Sequence, residues 1–201
     1  MGKTVELIFD FASPNAYLVY RALPPVLART GADLVLTPCL LGGIFKATGN
    51  QAPMLAFANI KGKMAYEMLE TQRFVAREKL NRFAMNPHFP INSLLLMRVM
   101  VAAGADAVPF VEAVLTAMWE DGRNTGDSAV VAEVVRKAGL DAEALLAEAQ
   151  SDAVKQKLAA NTQAAVDRGV FGIPTMFVGS EMFFGKERLG QVESCLLTGQ
   201  A

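Results

Sequence analysis

Two hydrophobic rhythms divide this chain, and their order restricts the folds open to it. Strand-like runs occur only near the two ends. Val5 to Phe11 is β-branched, aromatic and mostly apolar, the pattern of a strand buried on both faces. Ser13-Pro14 follows at once, a favoured helix cap and first helical residue. That helix passes through Tyr17, Leu18 and Leu23, should kink or break at Pro24-Pro25, and closes at Gly31. Asp33 to Thr37 reads as a second strand, so the opening is a βαβ unit with parallel strands. From about Ile44 to Arg168 the period becomes helical. Phe110, Val111, Val114, Leu115, Met118 and Trp119 form one apolar stripe, and Val130, Val131, Val134 and Val135 another. Asp127 and Ser151 are suitable N-caps, while Gly104, Gly122, Gly139 and Gly169 stand where helices should end. Asn86 to Pro90 breaks the series and reads as an extended connector. After Gly169 the strand pattern returns: Thr175 to Val178, a Gly179-Ser180 turn, and Met182 to Phe184. A last helix carries Leu189, Val192 and Leu196 on one face.

Removing the helical block leaves βαβ-ββα, the thioredoxin arrangement. The expected fold is therefore α/β, a thioredoxin-like domain of residues 1–43 and 169–201 with a large all-helical insertion, residues 44–168, as a second domain. At 201 residues the chain can bury a sufficient core without disulfides or a structural metal. A hydrophobic content of 52% excludes disorder. Basic and acidic residues nearly cancel, 19 against 20, so the clustered positive charge that nucleic acids and anionic membranes require is not expected. Two cysteines, Cys39 and Cys195, and the single His88 exclude a closed Cys/His zinc site and any Cys-x-x-Cys pair. Uncharged apolar runs such as Val99 to Ala105 are far below the ~20 residues of a spanning helix. The expectation is a soluble cytoplasmic protein with no metal and no nucleic-acid or membrane partner.

Three places could carry chemistry, and each has a plain alternative. Ser13 is an N-cap by preference, yet a hydroxyl at a strand's C-terminal edge and a helix's positive end can also stabilise an anion. Ile173-Pro174-Thr175 is an ordinary strand entry if the peptide bond is trans. In a thioredoxin arrangement that bond is usually cis, and the backbone of Ile173 is then open to an extended ligand. Phe184-Gly185-Lys186-Glu187 reads as a turn with an acid in the first turn of a helix. Lys46, Thr48 and Asn50 read as solvated loop residues, His88 as structural, the ten methionines as core filler, and both cysteines as small buried hydrophobes.

Taken together, four segments resemble one family. Phe9-Asp10-Phe11-Ala12-Ser13-Pro14-Asn15-Ala16-Tyr17-Leu18 is similar to the opening of the 2-hydroxychromene-2-carboxylate isomerases and kappa-class glutathione transferases. Leu41 to Asn50, Phe171 to Val178 and Phe184 to Leu189 resemble three later segments of that family, in the same order. The resemblance implies a disulfide-oxidase-like thioredoxin fold that binds glutathione and forms a homodimer. Where redox relatives carry Cys-x-x-Cys, this chain has Ser13-Pro14-Asn15-Ala16, so the thiol must come from the ligand. The family implies that Ser13 donates to the glutathione sulfur and that Ile173, before Pro174, pairs with its cysteinyl backbone. Phe184, Gly185, Lys186 and Glu187 would hold the γ-glutamyl end, Asn50 would approach the peptide, and Lys46 would face a substrate carboxylate. Glu187 departs from the usual Asp by one methylene.

The implied reaction is glutathione-dependent isomerisation of 2-hydroxychromene-2-carboxylate, a small aromatic carboxylate, to trans-o-hydroxybenzylidenepyruvate. Two other functions remain open on the same residues. One is a kappa-like transferase acting on other electrophiles; the other is a non-catalytic module that binds peptides beside the proline.

Overall fold

The computed structural model describes residues 2–199. Met1, Gln200 and Ala201, at the ends of the expected first domain, lie outside the described residues. Four strands, β1 (Thr4–Phe9), β2 (Asp33–Pro38), β3 (Thr175–Val178) and β4 (Glu181–Phe184), form one sheet in the order β2-β1-β3-β4. β1 runs parallel to β2 and antiparallel to β3, and β3 is antiparallel to β4. Two sequence-distant halves thus meet on β1. Its Val5, Leu7, Ile8 and Phe9 are wholly buried, which explains the mostly apolar run. Helix α1 (Pro14–Thr30) links β1 to β2 and lies against the last helix, numbered α10 (Leu189–Thr198).

Among the described residues, all the other α-helices stand between β2 and β3 in the chain. They are α2 (Leu41–Thr48), α3 (Pro53–Ala56), α4 (Lys63–Arg77), α5 (Leu94–Ala103), α6 (Ala107–Trp119), α7 (Ser128–Lys137), α8 (Ala142–Glu148) and α9 (Asp152–Asp167). The architecture is the thioredoxin arrangement with a helical insertion, whose first helix begins at Leu41. The caps read from sequence are formed: Ser13, Asp127 and Ser151 accept from the backbone N–H of Ala16, Ala129 and Val154. Gly31 ends α1 in the left-handed region at φ 65°, where a side chain would be strained.

Four expectations need correction. Pro24 and Pro25 do not interrupt α1, which is helical from Pro14 to Thr30. Both prolines sit on the exposed face, where water can satisfy the freed carbonyls, while Leu23 and Val26 anchor the buried face. Asn86 to Pro90 is not extended. The Phe89 N–H closes a turn onto the Asn86 carbonyl at 3.0 Å, and the Phe89–Pro90 bond is cis. The buried Asn86 amide donates to the carbonyls of Met118 (2.6 Å) and Arg123 (2.9 Å), long-range partners that outweigh local preference. Met54, Met68, Met85 and Met182 are exposed by about 40%, so core filling describes the buried Met97, Met100, Met118 and Met176. Cys195 is half-buried rather than buried.

The stretch Leu94–Trp119 is apolar and long enough by composition to cross a bilayer. In the fold it comprises α5, a short 3-10 turn at Gly104–Asp106 and α6. Leu96, Met97, Phe110, Val111 and Trp119 from this stretch lie in the core.

The insertion is clasped to α1 through α6. Arg21 pairs with Glu112 and, at 3.0 Å, with Glu120, whose side chain is nearly buried. The Tyr17 and Tyr20 hydroxyls donate to Glu120 (3.1 Å) and Glu112 (2.7 Å). The Trp119 indole N–H donates to the Phe11 carbonyl at 3.1 Å, inside the core. Trp119→Phe keeps a ring but leaves that carbonyl unpaired. It should cost about 1–3 kcal/mol in urea unfolding followed by circular dichroism. A cost near zero would show that Trp119 acts only as packing.

Candidate functional site

The site is assembled where β1 runs into α1. Asp10, the first residue past β1, is fully buried. Its Oδ1 accepts from the Ala12 N–H at 2.9 Å and its Oδ2 from the Leu41 N–H at 2.7 Å. Burial pushes the Asp10 carboxyl above the usual carboxylate range, opposed by hydrogen bonds from the Ser93 side chain and from Ala12 and Leu41. One carboxyl therefore fixes the loop before α1 to the first turn of α2 and to the residue that precedes α5.

Ser13 is buried and does two things at once. Its Oγ accepts from the Ala16 N–H at 3.2 Å and donates to the Ile173 carbonyl at 2.9 Å. The Ile173–Pro174 bond is cis. Around it, the Gly185 N–H donates to the Pro174 carbonyl at 3.0 Å, and Thr175 Oγ1 to the Gly172 carbonyl at 2.8 Å. The Asn50 amide donates to the Phe171 carbonyl at 2.8 Å, bringing the loop after α2 to the same place. The Phe171 and Phe184 rings lie 4.6 Å apart between centroids. Phe184 can lie there because residue 172 is glycine: a Cβ would sit 2.8 Å from Phe184 Cε2. Ser13, Asn50, Ile173, Pro174, Phe184 and Gly185 thus form one connected cluster.

Lys186 and Glu187 follow at its edge. Lys186 is only 2% exposed, and its Nζ donates to Glu187 Oε1 at 2.5 Å. Burial opposes ionisation of Glu187, but Lys186, a backbone N–H and Arg188 hold its carboxyl below the usual range. The pair lines a cleft of about 360 Å³ between α1 and the start of α10, shared with Arg29 and Arg77. Lys46 stands apart. It is exposed and lines a different cavity, between α2, α5 and α9, that Ser13 does not border.

This geometry is a helix N-terminus facing a cis-proline strand, and the comparison with known proteins matches it. The model of the DSBA-like thioredoxin domain matches residues 4–196. The chain belongs to the DSBA-like thioredoxin-domain family. Within that family it is 31% identical to the 2-hydroxychromene-2-carboxylate isomerase of Sphingobium xenophagum, over 98% of this chain and 100% of that protein. It is 28% identical to the kappa 1 glutathione S-transferase of Rattus norvegicus, over 93% and 88% of the two chains. A solved 2-hydroxychromene-2-carboxylate isomerase superposes with a TM-score of 0.83 at 30% identity, over 96% and 94% of the two chains. The DSBA-like chain is thus grouped with isomerases and kappa-class transferases, an enzyme family.

In this DSBA-like domain the Cys39 thiol is poorly placed for chemistry. Cys39 is buried and donates to the Asn161 carbonyl at 3.4 Å. Burial, with Glu6 and Asp10 nearby, pushes its thiol up to about 12, so it stays protonated at neutral pH. Sequence reasoning missed Asp10, although a charge inside the apolar run Phe9 to Ala12 was the available signal. In a Cys195→Ser variant, the folded protein should show no thiol reactive toward an aromatic disulfide reagent at mildly alkaline pH. Guanidinium should then release the single Cys39 thiol. Rapid reaction in the folded state would mean that Cys39 is accessible and ionisable.

Proposed function

We propose that this protein is a glutathione-dependent isomerase interconverting 2-hydroxychromene-2-carboxylate and trans-o-hydroxybenzylidenepyruvate. Residues 1–43 and 169–201 would hold glutathione, and 44–168 would form the helical domain beside it. The observation that carries the proposal is the Ser13 hydroxyl at the N-terminus of α1, hydrogen-bonded to the carbonyl that precedes a cis-proline. The names of the isomerase relatives supply the substrate, and those of the transferase relatives supply glutathione.

The residues present fit the tripeptide thiol. The Ile173 carbonyl can accept an N–H from an extended ligand, as in strand addition. Ser13 stands at the positive end of α1, and Glu187 offers a carboxylate for an ammonium. Once the hemiketal C–O bond of the chromene has opened to a phenol and a keto acid, bound glutathione would supply a thiolate that adds reversibly to the conjugated carbon and leaves after bond rotation, so it is not consumed. A free thiol has a pKa of ~8.5 and is mostly protonated at neutral pH. Ser13 and the first turn of α1 would favour the thiolate by donating to it. To do so, the Ser13 hydroxyl turns from Ile173 toward the sulfur, keeping its bond from Ala16. The Ile173 carbonyl then takes the ligand's N–H instead. Lys186 is better assigned to holding Glu187 than to touching the ligand, because it is buried and already paired.

Kappa-like transfer to other electrophiles is favoured by the transferase relatives, and turnover distinguishes it. An isomerase leaves total glutathione constant, whereas a transferase consumes it stoichiometrically. Ser13→Ala should lower isomerase turnover by ~10²-fold or more, on the scale of a lost oxyanion donor. The lost cap alone should cost about 0.5–2 kcal/mol of stability. Turnover and melting temperature measured on one preparation decide between the roles, and unchanged turnover with lowered stability would leave Ser13 a cap only. Glu187→Gln should weaken glutathione binding by roughly 10- to 150-fold in calorimetric titration. It should also lower the melting temperature, since Lys186 loses its countercharge. Glu187→Asp should keep binding within a few-fold of the parent. Parent-like affinity in the Gln variant would remove Glu187 from the site.

A further inference from the structure

We propose that the cavity between α2, α5 and α9 binds a planar aromatic carboxylate, with Arg98 as its ion-pair partner. The cavity holds about 500 Å³, a size suited to a small organic ligand. Leu40, Leu94, Leu158 and Val166 make its walls apolar. Among the described residues no acidic side chain lines it, whereas Lys46, Arg98 and Lys155 do, one from each helix.

These three cations are not equivalent. Lys155 already pairs with the exposed Asp152 at 3.1 Å. Lys46 and Arg98 make no ion pair among the described residues, and the Arg98 Nε is buried without a hydrogen-bond partner. The polar wall residues are bonded elsewhere and not to it. Thr162 Oγ1 accepts from the Leu40 N–H and donates to the Leu158 carbonyl, and the Gln163 amide donates to Asp167. A buried guanidinium donor left unpaired carries a desolvation cost that a ligand can relieve. A carboxylate is the matching acceptor, because its two oxygens can engage the guanidinium fork together. Apolar walls around that fork select a flat hydrophobic body over a small hydrated anion. Lys46 at the exposed side adds a second positive charge.

The occupant is of the same chemical class as the proposed substrate, but its binding here requires neither glutathione nor turnover. The test is calorimetric titration of naphthalene-2-carboxylate, which cannot isomerise, into the protein without glutathione. One site should saturate. The uncharged naphthalene-2-carboxamide should bind at least ~10-fold more weakly, by loss of a charge-assisted hydrogen bond. Arg98→Gln should weaken carboxylate binding by roughly 10- to 150-fold, and Arg98→Lys, which keeps the charge but not the fork, by less. Lys46→Gln lies on an exposed position and should fold whatever Arg98→Gln does. It should cost about 2- to 5-fold, as an exposed ion pair does. Ser13→Ala should bind the carboxylate like the parent, so failure of the isomerase proposal leaves this site intact. Absence of carboxylate binding, equal affinity for acid and amide, or parent-like affinity in folded Arg98→Gln would each overturn the proposal.

Discussion

The Asp10 carboxyl is the interaction on which the site depends. It is wholly removed from water, which is costly for a carboxylate, and it is retained because the hydrogen bonds around it are well placed. Those bonds reach the loop entering α1, the first turn of α2 and Ser93 ahead of α5. The Asp10 carbonyl also accepts from the Ser13 N–H at 3.2 Å. The position of Ser13 is thus set by contacts with both the sheet and the helical insertion. A second clasp, Arg21 and two tyrosines on Glu112 and Glu120, fixes the other side of α1 to α6. Helix α1 carries the candidate site at its N-terminus because it is held from both directions.

Much of this was legible in the sequence where the cause is local. Ser13-Pro14, Asp127 and Ser151 mark helix starts through their own side chains, and Gly31 marks an end through its backbone freedom. The Gly179-Ser180 turn and the two rhythms of hydrophobicity likewise need only neighbouring residues. The βαβ-ββα order followed from these, and the family resemblance named the residues that cluster around Pro174.

What the sequence concealed depends on partners far along the chain. Asn86 turns because Met118 and Arg123 offer it carbonyls, which nothing between Pro87 and Pro90 announces. Lys186 would pass for a surface lysine, yet it is buried on Glu187. Pro24 and Pro25 look like helix breakers until one knows which face meets water. Family likeness groups Lys46 with Ser13, while the packing of α2 and α5 on α9 places Lys46 and Arg98 on the lining of a separate cavity.

The Ser13–Ile173 hydrogen bond has a consequence for selectivity. One carbonyl oxygen anchors the serine hydroxyl in the free protein and, on the proposed function, the peptide N–H of the ligand in the complex. The two uses are thermodynamically linked: a ligand that supplies an N–H to Ile173 frees the hydroxyl for its own sulfur. A simple alkanethiol supplies none, so the hydroxyl stays on the carbonyl and the thiol remains unassisted. Discrimination between peptide thiols and small thiols would then arise from the strand backbone itself. Comparing glutathione with an alkanethiol of similar intrinsic reactivity reads this directly, and equal support of turnover by both would sink it.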